Sequence, residues 1–106
     1  MPLKINARSL TISQTPCSAV IEVPQFAKLL DAHLDVRHNN CLLWSLEDDE
    51  EGRAKEKVEI IMLELDQALK PQTAKYVGCF KANSGAIFVF ASRASDHPMT
   101  VVPYVG

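Results

Sequence analysis

The sequence is short of the residues on which several common kinds of binding site depend. It has only four glycines in 106 residues, and no glycine-rich loop precedes a predicted helix, as a phosphate-binding loop must. Aromatic residues make up only 7% of the chain, and few of them alternate with lysine or arginine. We therefore expect no nucleotide-binding loop of the common kinds and no stacking surface for nucleic acid.

An excess of charge of one sign, a long apolar run and a targeting segment are also missing. Eleven Lys and Arg residues against thirteen Asp and Glu residues give a net charge of -2, so no strong field attracts nucleic acid or anionic lipid. The apolar run at 86–91 is far below the roughly 20 residues of a membrane helix. No basic and apolar signal follows Met1. We expect a cytoplasmic protein with neither a membrane nor a nucleic-acid partner.

Cysteine is scarce, and its spacing shows no pattern. Cys17, Cys41 and Cys79 are an odd number, and none of them belongs to a CxxC pair. A disulfide framework or a zinc-finger site is therefore not indicated. We expect three reduced thiols, as in a reducing compartment.

What the chain does have is the composition of an ordinary globular protein, with 47% hydrophobic and 23% charged residues. Its length suits a single domain, which we expect to span residues 1–106. A chain of this size can bury about two-thirds of its unfolded surface, so a true core is expected.

Alternating or continuous apolar residues, bounded by turn residues, predict strands in several parts of the chain. The first two strands are expected to form a hairpin or a bent strand pair. Asn83 and Gly85 favour a tight turn between the predicted strands 75–81 and 86–91. The apolar run 86–91 should be central, with Phe88 and Phe90 in the core. The predicted strands are 3–13, 18–23, 41–46, 75–81, 86–91 and 99–105.

Two segments predict amphipathic helices. After Pro24, which suits a first helical turn, apolar residues recur at helical spacing as far as Leu34, and the asparagines at 39–40 favour a stop. Residues 53–69 show the same spacing and are rich in helix-forming residues, with Pro71 as the stop. A strand at 58–65 is the alternative, which length and composition disfavour.

The element order β-β-α-β-α-β-β-β predicts an α+β fold, in which two helices pack on a mainly antiparallel sheet. Ile60 and Leu63 make the apolar face of the second helix wider than one core contact needs, so this helix is either buried on two sides or in contact with a partner. The two faces of the central strand also need more cover than two helices provide. These observations predict a homo-oligomer, most simply a dimer.

His38 and Cys41 are the candidate metal ligands, since imidazole and thiolate are the ligands that zinc prefers. Their spacing matches no established zinc motif, and the nearby His33 lies on the apolar face of its predicted helix. A hydrogen-bonded core histidine is the ordinary explanation for His33. We expect no metal and no other cofactor.

Cys79 and His97 are the candidate nucleophile and base, although no basic neighbour is visible to activate the thiol, and a strand cysteine is usually a small core residue. Pro2 is a third catalytic candidate. The Met1–Pro2 start resembles that of the N-terminal-proline tautomerases over these two residues only. In that family the exposed proline amine is a general base, so the resemblance implies that role for Pro2 after removal of Met1.

The remaining feature is a run of five acids beside the only tryptophan, Trp44. We expect this run to bind a basic protein surface. The ordinary explanation for acids before a helix is a solvated surface that the helix dipole favours. The expected binding residues are Trp44, Glu47, Asp48, Asp49, Glu50 and Glu51.

The absence of a catalytic constellation favours a protein-interaction module of the inhibitor, immunity or adaptor type over an enzyme. The alternative is a small-molecule-binding or catalytic domain with a Cys- and His-containing pocket between sheet and helices. The expected lining of that pocket is His33, Trp44, Cys79, Phe88 and Tyr104.

Overall fold

Seven antiparallel β-strands make up the regular structure of the part of the chain that can be described. The computed structural model describes residues 3–48, 50–68 and 74–93, and no helix occurs within these ranges. The strands are β1 Leu3–Thr11, β2 Cys17–Pro24, β3 Lys28–Asp35, β4 Asn40–Asp48, β5 Lys55–Leu63, β6 Lys75–Ala82 and β7 Gly85–Arg93. None of the described residues belongs to a helix with the length and hydropathy needed for a bilayer crossing.

The strands form two sheets that pack face to face. The three-stranded sheet has the order β1-β4-β3, and the four-stranded sheet has the order β2-β5-β7-β6. The first two strands therefore do not form the hairpin that alternation along the chain predicts, because they belong to different sheets. Consecutive strands change sheets three times before the β6–β7 hairpin, so most of the pairing joins distant parts of the chain.

The core lies between the two sheets and is filled by every second side chain of the inner strands. In β4, Cys41 and Leu43 are fully buried, while the residues between them are more exposed. In β7, Ile87 and Val89 face inward in the same alternating manner. This is the period of two that a pleated strand imposes. The other fully buried apolar residues of the core are Val23, Val58 and Ile60.

The α+β prediction with two helices is wrong, and the first helix is in fact strand β3. The register of β3 against β4 shifts between Leu29 and Asp31, which marks a β-bulge. The bulge inserts one residue, so Leu29, Ala32 and Leu34 all lie opposite inward-directed residues of β4 and project into the core with them. Apolar residues two and three positions apart in one strand resemble the spacing of a helix. The pattern therefore predicted a helix where the chain forms a strand.

The second predicted helix, residues 53–69, is also a strand, β5. It lies between β2 and β7, and its apolar residues from Val58 to Leu63 are buried on both faces of the sheet. A strand covered on both faces loses its alternation, so its apolar run cannot be distinguished from a helix by periodicity. The strand ends at Leu63, and Gln67 then closes a turn by bonding to Glu64.

Several strand predictions are confirmed. β1, β2 and β4 overlap the predicted segments 3–13, 18–23 and 41–46, and β6 and β7 form the predicted hairpin. β7 has a neighbour on each side, so its predicted central position is also confirmed. Phe88 and Phe90 are half-buried on its outward face rather than in the core between the sheets. The predicted strand 99–105 lies outside the described residues.

The two sheets approach most closely through β3 and β6. An ideal Cβ atom at Gly78 of β6 would lie 2.7 Å from the backbone nitrogen of Ala32 in β3 and 2.4 Å from the Asp31 carboxylate. No other residue type fits in that space without a shift of the backbone. Gly78 therefore lets the edge of one sheet lie against the edge of the other.

Candidate functional site

The outer face of the three-stranded sheet carries an exposed apolar surface. Residues directly opposite each other on paired strands project from the same face. Ile5 of β1 lies opposite Leu46 of β4, and Ala7 lies opposite Trp44. Ile5 is 66% exposed and Trp44 is 38% exposed. We call this surface the outer apolar patch, and it consists of Leu3, Ile5, Leu42, Trp44 and Leu46.

Polar residues of β3 border the outer apolar patch and contact its tryptophan. Asp31 lies opposite Trp44 and His33 lies opposite Leu42. The His33 ring centroid is 4.5 Å from that of Trp44, and its Nε2 atom is 3.1 Å from Oδ2 of Asp31. The imidazole is therefore held between a carboxylate and an indole on the surface, and it is not part of the core.

The acidic run lies at one end of the patch, where β4 leads into a turn. Asp48 lies opposite Leu3 at the end of the β1–β4 pair. The guanidinium of Arg53 donates to Oδ2 of Asp48 at 2.7 Å and to Oε2 of Glu50 at 3.3 Å. Glu50 and Glu51 are exposed. Of the five expected acidic residues, Asp49 lies outside the described residues.

Glu47 differs from its acidic neighbours because its side chain points into the protein. It is only 2% exposed, and it forms an ion pair with Arg8 of β1. The Ser45 hydroxyl also donates to its carboxylate, and Nδ2 of Asn6 donates at 3.1 Å. The Glu47 carboxylate is therefore fully used inside the fold and is not presented to a partner.

These contacts set the ionisation of Glu47. Burial by itself raises the pKa of this carboxyl group, but the hydrogen bonds from Arg8, Ser45 and Asn6 together outweigh burial and bring the pKa down to about 2. Glu47 is consequently ionised at neutral pH, with its charge balanced inside the fold.

The network of Glu47 with Arg8, Ser45 and Asn6 is not among the expectations from the sequence. The alternation of β4 could have located it, because Glu47 continues the inward series that starts at Cys41. A second buried ion pair joins Arg93 at the end of β7 to Glu56 of β5, with Nε of Arg93 3.0 Å from the carboxylate. Both acids belong to segments that composition alone assigns to solvated surface.

The two candidate metal ligands do not share a site. His38 is exposed in the β3–β4 turn, where its Nδ1 atom is 3.0 Å from Oδ2 of Asp35. The hydrogen bond from His38 lowers the pKa of Asp35. Cys41 faces the core and is fully buried. Within residues 3–48, 50–68 and 74–93, no group of three or more His, Cys, Asp or Glu side chains could hold a metal ion.

Of the candidate catalytic residues, only Cys79 is among the described residues. Cys79 is exposed on the outward face of the four-stranded sheet, opposite Phe88, whereas His97 and Pro2 lie outside the described residues. Cys41 is shielded instead, and burial together with the neighbouring Cys17 raises its pKa to about 11. A buried thiol with a raised pKa is a poor nucleophile.

The Cys- and His-lined pocket of the alternative hypothesis is not formed by the described residues. His33 and Trp44 lie on the outer face of the three-stranded sheet, while Cys79 and Phe88 lie on the outer face of the other sheet. The core separates the two pairs, and Tyr104 lies outside the described residues. No helix is present in the described ranges to cover such a pocket.

Comparison of the chain with protein-family models, with curated proteins and with solved structures finds no match in any of the three.

Proposed function

We propose that the protein is a small protein-interaction module that binds its partner on the outer apolar patch. The observation that carries this proposal is a tryptophan displayed in the middle of an exposed apolar sheet face. A Trp side chain at the centre of such a face is the residue type most often found to dominate binding energy in protein interfaces. Small soluble domains rarely leave a connected apolar surface of this kind without a use for it.

The margin of the patch supports a partner of particular chemistry. Asp48 lies at one end of the patch, and Glu50 and Glu51 follow it in the exposed turn. Asp31 adds a carboxylate on the β3 side, with Nε2 of His33 3.1 Å from its Oδ2 atom. A protein with an apolar centre and Lys or Arg residues around it would complement this surface, and the charges would accelerate its association.

β1 adds a second mode of contact to the patch. It lies at the edge of the three-stranded sheet and pairs only with β4 among the described strands. Its other edge offers backbone hydrogen-bonding groups beside Leu3 and Ile5, and an added strand commonly binds in this way. The homodimer expected from the sequence belongs here as well, since a second copy could pair its own β1 with this edge.

The cytoplasm is the location that we propose for this module. All three cysteines are free thiols, and Cys79 is exposed. Such thiols persist where glutathione and thioredoxin keep proteins reduced.

Ile5→Asp and Val20→Asp form a matched pair of variants for a test. Ile5 and Val20 are similarly exposed, at 66% and 64%, and both lie on edge strands, but only Ile5 belongs to the outer apolar patch. Cross-linking in cell extract followed by mass spectrometry would identify partners of the wild type. Titration calorimetry with the purified partner would then measure binding, and we expect Ile5→Asp to weaken it about 100-fold or more. Val20→Asp should leave it within about twofold.

Native mass spectrometry of the same proteins separates a foreign partner from a second copy. A dimer of the wild type that Ile5→Asp converts to a monomer identifies the partner as a second copy. Equal loss of binding in both variants, or no loss in either, would contradict a docking role for the patch. Circular dichroism would establish that both variants remain folded.

A further inference from the structure

A pocket opens at the end of the sandwich where β3 and β6 begin and β7 ends. It adjoins the outer apolar patch through Lys28, which lies opposite Leu46. Its volume is about 560 Å³, which is within the usual range for small-molecule sites. Ala27, Leu29, Val77 and Ala91 give it apolar walls. A ligand that fills it must therefore have an apolar body.

The charged residues that line this pocket are all cations. They are Lys28, Lys75 and Arg93, and no Asp or Glu lines the pocket among the described residues. Arg93 is only 8% exposed. Its Nε and Nη2 atoms donate to Glu56, and its Nη1 atom donates to the carbonyl oxygen of Ala27 at 2.6 Å.

Three hydrogen bonds leave two of the five guanidinium N–H groups of Arg93 unused by any described residue. Unused donors on a buried cation favour an acceptor of negative charge. Because Glu56 already balances the charge of Arg93, the positive charge that this pocket offers to a ligand comes from Lys28. A ligand with a single negative charge matches this arrangement.

Two exposed aromatic rings stand at the pocket. Phe26 is 74% exposed and Tyr76 is 59% exposed. Phe26 also has a φ of 71°, in the left-handed region, which a bulky residue adopts at a cost of about 1–3 kcal/mol. This unfavourable backbone conformation places an exposed aromatic ring beside the pocket.

Both β-bulges of the protein's described pairings also fall here. One interrupts β3 between Leu29 and Asp31, and the other interrupts β6 between Tyr76 and Gly78. Bulges redirect side chains, and they are common next to binding sites. Leu29, Tyr76 and Val77 thus line the pocket because the two strands depart from regular pairing.

We propose that this pocket binds a small amphiphilic monoanion, a carboxylate attached to an aromatic or aliphatic body. The apolar body lies against Leu29 and Val77, and Phe26 and Tyr76 cover it. The carboxylate accepts hydrogen bonds from Arg93 and Lys28. None of these residues belongs to the outer apolar patch, and Lys28 lies beside the patch, opposite Leu46.

The first experiment compares two probes that differ only in charge. 2-Naphthoate and its neutral counterpart 2-naphthamide are titrated into the ¹⁵N-labelled full chain, and the amide signals are followed by NMR. We expect saturable shifts at Lys28, Tyr76 and Val77 with 2-naphthoate, and binding at least about tenfold weaker with 2-naphthamide. Equal affinity of the two probes, shifts centred on Trp44, or no saturable binding at millimolar concentration would each overturn the proposal.

Lys28→Gln tests the charge, with Lys57→Gln as its control. Lys57 is an exposed lysine of β5 that does not line the pocket. We expect Lys28→Gln to weaken 2-naphthoate binding about fivefold or more and Lys57→Gln to leave it unchanged. An equal loss of 2-naphthoate affinity in both variants would mean that the probe responds only to the overall charge of the protein. That result would overturn the assigned site.

Phe26→Asn separates a ligand-binding role from a structural one. Asparagine tolerates the left-handed backbone better than phenylalanine, so this variant should raise the melting temperature by a few degrees. It should also weaken 2-naphthoate binding severalfold, because it removes one aromatic cover. A variant that is less stable, or that binds 2-naphthoate as well as the wild type, would contradict the role given to Phe26.

Discussion

At the scale of single residues, Glu47 shows how position within a strand overrides composition. It belongs to a run of acids that would ordinarily be solvated, yet it is buried between the sheets with Arg8, Ser45 and Asn6 around its carboxylate. Losing one partner of such a pair leaves a buried charge uncompensated. The network is thus a structural element, and Glu50 and Glu51 beside it are exposed.

Glu47→Gln is expected to reduce the free energy of unfolding at neutral pH, by up to about 3 kcal/mol for a pKa lowered from 4.5 to about 2. A lowered pKa means that the carboxylate stabilises the fold above about pH 4.5 and that this stabilisation is lost as the pH falls towards 2. The difference between wild type and Glu47→Gln should therefore shrink across that interval. Urea denaturation of both proteins at several pH values measures this difference in the free energy of unfolding.

Glu51→Gln is the control for this pH series because Glu51 is exposed in the turn. Its unfolding free energy should follow that of the wild type at every pH. A constant gap between wild type and Glu47→Gln from pH 7 to about pH 2 would contradict the role of the Glu47 charge.

At the scale of strands and turns, local pattern was informative where pairing is local. The β6–β7 hairpin joins neighbours through a turn at Asn83–Ser84, and it could be predicted from turn residues and alternation. β3 and β5 could not be predicted, because a bulge altered the period of one and burial on both faces removed the alternation of the other. β5 pairs with strands that are distant in sequence, so tertiary pairing decided its conformation. β3 pairs with the next strand of the chain, and its bulge is what removed the period of two.

Hydrogen exchange provides a test of the strand assignment. β4, β5 and β7 have paired neighbours on both sides, whereas β1 and β2 are edge strands. Amides of β5 and β7 should exchange only through global unfolding, about 100-fold or more slowly than the outward-directed amides of β1 and β2. Fast exchange throughout Lys55–Leu63 would contradict a central strand there.

At the scale of the whole molecule, the contact between β3 and β6 joins the two sheets on one side. Gly78 allows this contact because its position lies against the backbone of Ala32 and the side chain of Asp31. The pocket between Phe26 and Tyr76 opens where these two strands begin. The shape of the pocket therefore depends on how closely the two sheets approach.

Gly78→Ala should lower the free energy of unfolding by about 2–3 kcal/mol, because the added methyl group forces the two backbones apart. Gly52→Ala is the comparison, since a Cβ at Gly52 meets nothing within 4 Å and only its φ of +84° is unfavourable. We expect Gly52→Ala to cost about 1 kcal/mol. Urea denaturation of both variants measures the two losses in the free energy of unfolding. Equal losses would contradict the close packing at Gly78.

The sequence by itself determined a hydrophobic content sufficient for a core, three free thiols and five strands of the described part, two of which form the β6–β7 hairpin. These properties depend on composition and on contacts between residues that are close along the chain. The tertiary structure alone decided that residues 28–35 and 55–63 are strands, that Glu47 is buried, and that Trp44 is displayed beside Ile5. The strand at 55–63, the burial of Glu47 and the display of Trp44 each depend on which distant strand lies alongside, and pairing between distant strands leaves no periodic mark in a single sequence. The strand at 28–35 pairs with the next strand of the chain, and its bulge removed the period of two.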